Sequence, residues 1–183
     1  MADEPVTLEN PIEERIARAE HCHHAMKDYF FGEPVVRRLL ERLRSALREA
    51  SDCMVRTGIT EICRECDLQE GGSCCGAGLE DYYGVSLLLI NLLLGVTLPS
   101  GRMNASSCYF LGKRGCLLQA RHVICVNYIC KKITSQIDST ALAGLREKEG
   151  RALELLFRLN EEIIRRLREK GASGWRDESG YEA

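Results

Sequence analysis

CRECDLQEGGSCC at residues 63–75 and CYFLGKRGCLLQARHVICVNYIC at residues 108–130 hold eight of the ten cysteines of this chain, in the order C-x2-C-x7-C-C-x32-C-x7-C-x8-C-x4-C. Thiolate sulfur is the soft donor that zinc and iron–sulfur clusters select. The spacing Cys63-x2-Cys66 lets one turn of backbone present two sulfurs to one centre. The pattern predicts a soft-metal site, and the rest of the chain reads as the scaffold around it.

At 183 residues, with 45% hydrophobic and 28% charged content, the chain is long enough to bury a core as one domain, residues 1–183. It needs no disulfide staples, and its first residues, MADEPVTLEN, carry neither a basic n-region nor an apolar h-region. These features predict a cytoplasmic protein with reduced thiols. A formal net charge of −2 gives no push toward nucleic acid or anionic membrane, and neither is predicted as a partner.

The expected fold is mainly α, a helical scaffold around an irregular cysteine-rich core. Residues 1–60 read as a helical hairpin. Asn10, Pro11 and Glu13 resemble an N-cap, a first-turn proline and a capping-box acid, and Ile12, Ile16, Ala19, His23, Met26 and Phe30 follow on one face. After Gly32, Pro34 opens a second helix with Val36, Leu40, Leu43, Leu47, Ala50 and Met54 on its apolar side. Residues 61–132 form the cysteine-rich region. Within it YYGVSLLLINLLLGVTLP, residues 82–99, is uncharged but short and interrupted for a membrane span. It reads as a buried helix capped by Asp81 and ended by Gly95. The KRG turn at residues 113–115 fits either a short hairpin or two irregular ligand-bearing segments. Residues 133–170 read as a long helix with Leu145, Ala152, Leu156, Leu159, Ile163 and Leu167 on one stripe, widened by Leu153, Phe157 and Ile164. Residues 171–183 read as a flexible tail, with Trp175 free to dock.

The metal-ligand candidates are Cys63, Cys66, Cys74, Cys75, Cys108, Cys116, Cys125 and Cys130. They fall into two groups of four on either side of the apolar helix. Sequence order does not say which four converge, and the neighbouring Cys74 and Cys75 are poor joint ligands of one centre because adjacent side chains diverge. Three chemistries compete. An iron–sulfur cluster, [4Fe–4S] by preference, takes four thiolates in irregular backbone that donates N–H bonds to sulfur. A structural Zn2+ site takes the same four. A thioredoxin-like dithiol at Cys63 and Cys66 lacks a βαβ context and stands last. From Cys108 to Lys132 there are five bases, Lys113, Arg114, Arg121, Lys131 and Lys132, and no acid. Such cations offset thiolate charge, or else form a solvated face.

The runs CRECDLQEGGSCCG and CYFLGKRGCLLQARHVIC resemble the YkgJ-type, CxxCxxC-containing family of zinc- or iron-chelating proteins. That pattern has an early CxxC and CC, then C-x-F-L, a further Cys, Arg-Pro and another Cys. The resemblance covers about residues 62–130. It implies chelation at Cys63, Cys66, Cys74, Cys75, Cys108, Cys116 and Cys125, with Cys130 as an eighth ligand. His122 stands where the pattern has proline, which puts an imidazole near the ligands. A flagellin lysine methylase is similar to this family in its cysteine-rich part, but no glycine loop for a methyl donor appears here, so that activity is not carried over.

His21, Cys22, His23 and His24 cannot all meet one metal from consecutive helical positions. His23 on the apolar stripe and Cys22 beside it are the additional ligand candidates, with His122. Cys53 reads as a small buried hydrophobe. Glu20 and His23 make a single Glu-x-x-His, whereas a di-iron bundle needs two. No nucleophile elbow, Walker loop or GxGxxG supports a hydrolase, nucleotidase or dehydrogenase. The functions that fit are electron transfer, cluster handling or sensing by an iron–sulfur protein; a structural zinc module; or a metal-dependent enzyme of unknown substrate. A protein partner would use the long C-terminal helix or the basic segment 113–132, and a homodimer is open.

Overall fold

The structure is a computed structural model, and it describes residues 7–69 and 74–170. The tail reading, with Trp175, lies outside the described residues. Helices α1 (Ile12–Gly32), α2 (Pro34–Arg56), α3 (Ile59–Gln69), α4 (Val85–Leu93), α5 (Val123–Asn127), α6 (Lys131–Gln136) and α7 (Ser139–Glu169) account for most of these residues. A 3-10 turn, Leu79–Tyr82, precedes α4. Strands β1 (Leu111–Gly112) and β2 (Gly115–Cys116) pair antiparallel, so the KRG turn closes a hairpin. The chain is mainly helical, as its periodicity predicts.

Pro34 at the first position of α2 and Glu33 between the helices break α1 from α2. The two helices touch each other less than each touches another partner: α1 lies mainly on α4, and α2 mainly on α7. Ile12, Ile16, Ala19 and Phe30 from α1, Val36, Leu40 and Leu43 from α2, Leu88, Leu89, Ile90 and Leu93 from α4, and Leu156, Leu159, Ile163 and Leu167 from α7 form the larger core. Each fully buried leucine or isoleucine of this set contributes about 1.5–3 kcal/mol. A second, smaller cluster gathers Cys53, Ile59, Ile62, Ile133 and Leu145 where α2, α3, α6 and α7 meet. Cys53 is thus a buried hydrophobe, as expected.

Several local expectations are corrected. Asn10 does not cap α1; its Oδ1 accepts from the Thr7 N–H at 2.7 Å, and Pro11 holds the N-cap position without a side-chain bond. Asp81 belongs to the 3-10 turn, and Gly84 is the N-cap of α4. Gly95 does end α4: at φ +90° it lets Val96 N–H reach the Asn91 carbonyl and Gly95 N–H reach the Leu92 carbonyl, a Schellman closure. No helix among the described residues is long and apolar enough to cross a membrane. In α7, capped by the Asp138 carboxylate at 2.9 Å from the Thr140 and Ala141 N–H groups, Leu155 is buried and Phe157 is 66% exposed. Phe157 sits outside the arc of α7 that packs on α2 and α4 and into the smaller cluster.

One buried arginine positions the loop that carries the cysteines. Arg15 of α1, 1% exposed, donates to the carbonyls of Asp81 at 3.0 Å and Tyr83 at 2.9 Å. Its Nη1 thereby satisfies carbonyls that the short 3-10 turn leaves open.

Candidate metal centre

Cys63 and Cys66 stand one turn apart on α3 and share a face. Cys130 is the N-cap residue of α6, which packs against α3, and Cys63 and Cys130 both lie against the smaller core. Cys75 and Cys125 lie half-buried against the larger core, in which Cys108 is buried. The Cys108 N–H donates to the Cys75 carbonyl at 2.7 Å, and Gly76 bridges to Ser107 beside it. Cys116 is on β2 opposite Leu111, while Cys125 is on α5. Segments far apart in sequence therefore carry these thiols, with Cys63 and Cys130 against the smaller core and Cys75, Cys108 and Cys125 in or against the larger.

Glu80 and Asn91 fix the loops between them. The Glu80 carboxylate pairs with Arg102 and accepts from the N–H groups of Gly78 at 3.1 Å and Tyr109 at 3.3 Å, which ties the chain after Cys75 to the chain after Cys108. Burial by itself raises this carboxyl, but its own backbone, Arg102, Gly78 and Tyr109 outweigh burial and hold it below the usual range. Asn91, fully buried in α4, accepts from Gln119 and Ala120 N–H groups at 3.0 Å and donates to the Ala120 and Leu87 carbonyls at 2.9 Å. It thereby holds the strand of loop that leads to Arg121, His122 and Cys125.

The thiols feel one another. Burial, then the neighbouring Cys130, Cys75 and Cys66, raises Cys63, while Arg121 pulls it down. Cys74 is raised by its hydrogen bond with Cys75, by burial, and by Cys75, Cys63 and Cys130. Burial pushes Cys108 up to about 12 against a bond from the Phe110 N–H, with Glu80, Cys116 and Cys75 adding to the rise. Cys116 is exposed at its surface, yet desolvation by the chain around it pushes it up to about 11, opposed by the Leu118 N–H and Arg121, with Cys75 and Cys125 adding. Cys125, raised by burial, accepts from the Tyr83 hydroxyl at 3.6 Å. Arg121 lowers Cys63, Cys116 and Cys125 alike, and its guanidinium donates to the Met54 sulfur at 3.4 Å. Sequence reasoning counted Arg121 only as one of five bases.

The additional candidates lie apart from this convergence or already have work. Cys22, not His23, is the buried member of its pair. Burial pushes Cys22 up to about 11 with Arg18 opposing, and His23 is lowered by burial, Lys27 and His24. None of the eight thiols is among the causes acting on either. His122 is the N-cap of α5: its Nδ1 accepts from the Ile124 N–H at 3.3 Å, and its ring stacks on Tyr82 at 5.5 Å. Its φ of −60° and ψ of 148° are values a proline adopts. The His122 N–H, which proline lacks, donates to the Tyr83 hydroxyl at 3.0 Å.

Among the described residues, no group of three or more His, Cys, Asp or Glu side chains stands close enough to hold a metal ion. The sulfurs neighbour one another without closing on a point. As a donor set they still fit a soft metal: they are all thiols, no disulfide joins them, and several receive N–H or O–H bonds. Tyr83, Glu80, Asn91 and Arg102 were not found as positioning residues from sequence. Asn91 carried a signal, as a lone amide inside an apolar run, since a buried amide requires partners. No family model, no curated protein and no solved structure matches this chain.

Proposed function

We propose that this protein binds a soft metal through its cysteine thiolates, an iron–sulfur cluster by preference, and serves electron transfer, cluster handling or sensing. The observation that carries this reading is the donor pattern at the sulfurs. The N–H two residues on points at the thiol in both Cys108–Phe110 and Cys116–Leu118, and Tyr83 donates to Cys125. Such bonds stabilise thiolate over thiol and tune a cluster's potential. Arg121 adds a positive charge among them. The resemblance to the YkgJ-type family points the same way.

Cys63, Cys66, Cys74, Cys75, Cys108, Cys116, Cys125 and Cys130 would hold the metal. A bound cluster would supply one-electron chemistry; the chain supplies thiolate ligands, N–H bonds and a low-polarity wall from the two cores. A structural Zn2+ site is the second reading, favoured by the two-residue strands Leu111–Gly112 and Gly115–Cys116, too short to be stable unaided. Anaerobic purification followed by visible absorption and analysis for iron, sulfide and zinc separates the two. Broad visible absorption with iron and sulfide in stoichiometric amounts is expected. Colourless protein with stoichiometric zinc would replace the cluster by the structural site, and protein with neither metal would remove both.

A further inference from the structure

We propose that the exposed apolar side chains at α5, Val123, Ile124 and Tyr128 with Tyr82 beside them, form a docking surface for an acidic protein segment that carries apolar side chains of its own. None of these side chains is a thiol, so the surface is independent of the soft-metal reading above.

Other groups hold α5 in place. Val126 is its buried residue. Arg146 of α7 donates from Nη1 to the Val126 carbonyl at 2.8 Å and from Nη2 to the Asn127 carbonyl at 2.6 Å, which closes the C-terminal end. At the other end His122 caps the helix through Nδ1 and donates its own N–H to the Tyr83 hydroxyl. The side chains of Val123, Ile124 and Tyr128 take no part in these bonds and lie exposed, Tyr128 at 59%. Ile124 and Tyr128 stand one helical turn apart, with the Tyr128 N–H on the Ile124 carbonyl at 3.3 Å. The exposed Tyr82 ring stacks on His122 and extends the patch. Apolar groups gathered on a surface mark a contact site, whereas single ones do not. Phe157 is the contrast, since the Glu154–Arg158 ion pair flanks it on α7. A helix already fixed at both ends also loses little freedom when a partner binds.

Charge selects the partner. Residues 108–132 hold five bases and no acid in a chain of net charge −2. Exposed Lys131 opens α6 just past Tyr128, and Arg121 precedes His122. Among the acids of neighbouring elements, Asp81 is paired with Arg15, Glu61 with Arg64 and Glu149 with Arg146. An acidic surface is therefore drawn to this face and a basic one repelled. A second copy docking by a two-fold axis would set these bases against themselves. Helix α5, Val123–Asn127, is too short to lie along a lipid interface as an amphipathic anchor.

The test screens the purified full chain against a random, cysteine-free linear peptide library and titrates the selected peptides against wild type, Ile124→Ser, Tyr128→Ser and Lys131→Glu. Peptides rich in Asp and Glu with at least one Leu, Phe or Trp are expected. Their affinity should fall about tenfold or more in each variant and weaken with added salt, with thermal midpoints unchanged. No enrichment, a neutral or basic consensus, or variants that bind as tightly as wild type would overturn the proposal. Binding to phosphatidylserine vesicles, or self-association in sedimentation, that is lost in Tyr128→Ser would give the face to lipid or to a second copy and overturn it equally. Should a substitution lower the midpoint, amide exchange of the wild type with a selected peptide reads the same contact: slowed exchange across α5 is expected, and protection confined to other elements would contradict it.

Discussion

Asn91 sits in a run of leucines and makes four hydrogen bonds there, each to backbone and three of them to the loop before Arg121. Asn91→Leu keeps the volume and removes all four, leaving buried N–H and C=O groups unpaired at about 1–3 kcal/mol each. The variant is expected to lower the urea midpoint and to reduce metal retained per folded chain, measured by denaturation and metal analysis. Unchanged midpoints would show that the loop holds itself. Glu80 works differently, through charge. Its carboxyl is held below the usual range, so its stabilisation is complete above the unfolded carboxylate value, near about 4.3, and is lost as pH falls through the lower folded value. Glu80→Gln should cost about 1.5–3 kcal/mol at neutral pH, and the difference from wild type should shrink on acidification. A difference independent of pH would contradict the ionic role. At this scale the cysteines were legible as ligand candidates from spacing, but Tyr83, Asn91 and Glu80 were not. Each acts across 22 or more residues of sequence, as in the Glu80–Arg102 pair, where no local pattern records the partner.

Among the elements, α1, α2 and α7 were readable because 3.6-residue periodicity and, for α2, Pro34 agree with the packing. What failed was rotation about the axis. Cys22 replaced His23 at the core, and Phe157 turned outward while Leu155 turned in, because the neighbours that decide a helix's buried arc are not in its own sequence. Phe157→Ser, on this reading, shifts stability by no more than about 0.5 kcal/mol. Leu159→Ala, two residues on and fully buried, should cost about 2–5 kcal/mol. Thermal melts of the two variants compare them directly, and equal losses would contradict the observed facing of α7. Gly95 was legible as a helix stop because only a residue free of a Cβ adopts φ +90° without strain.

For the whole molecule, the two cores differ in what holds them. The larger joins four helices by leucine and isoleucine packing, whereas the smaller has few apolar members and relies on α3 and α6 meeting beside Cys63 and Cys130. On the proposed soft-metal reading, metal binding free energy would act mainly on α3, α6 and the hairpin. Removing such a metal should then speed amide exchange there and leave α1, α4 and α7 protected; uniform deprotection, or none, would sever the metal from these elements. The central claim concerns the donor atoms themselves, and X-ray absorption at the edge of the bound metal reads them. A shell of four sulfur scatterers at about 2.3 Å is expected, and a shell dominated by nitrogen or oxygen would contradict thiolate ligation by these cysteines.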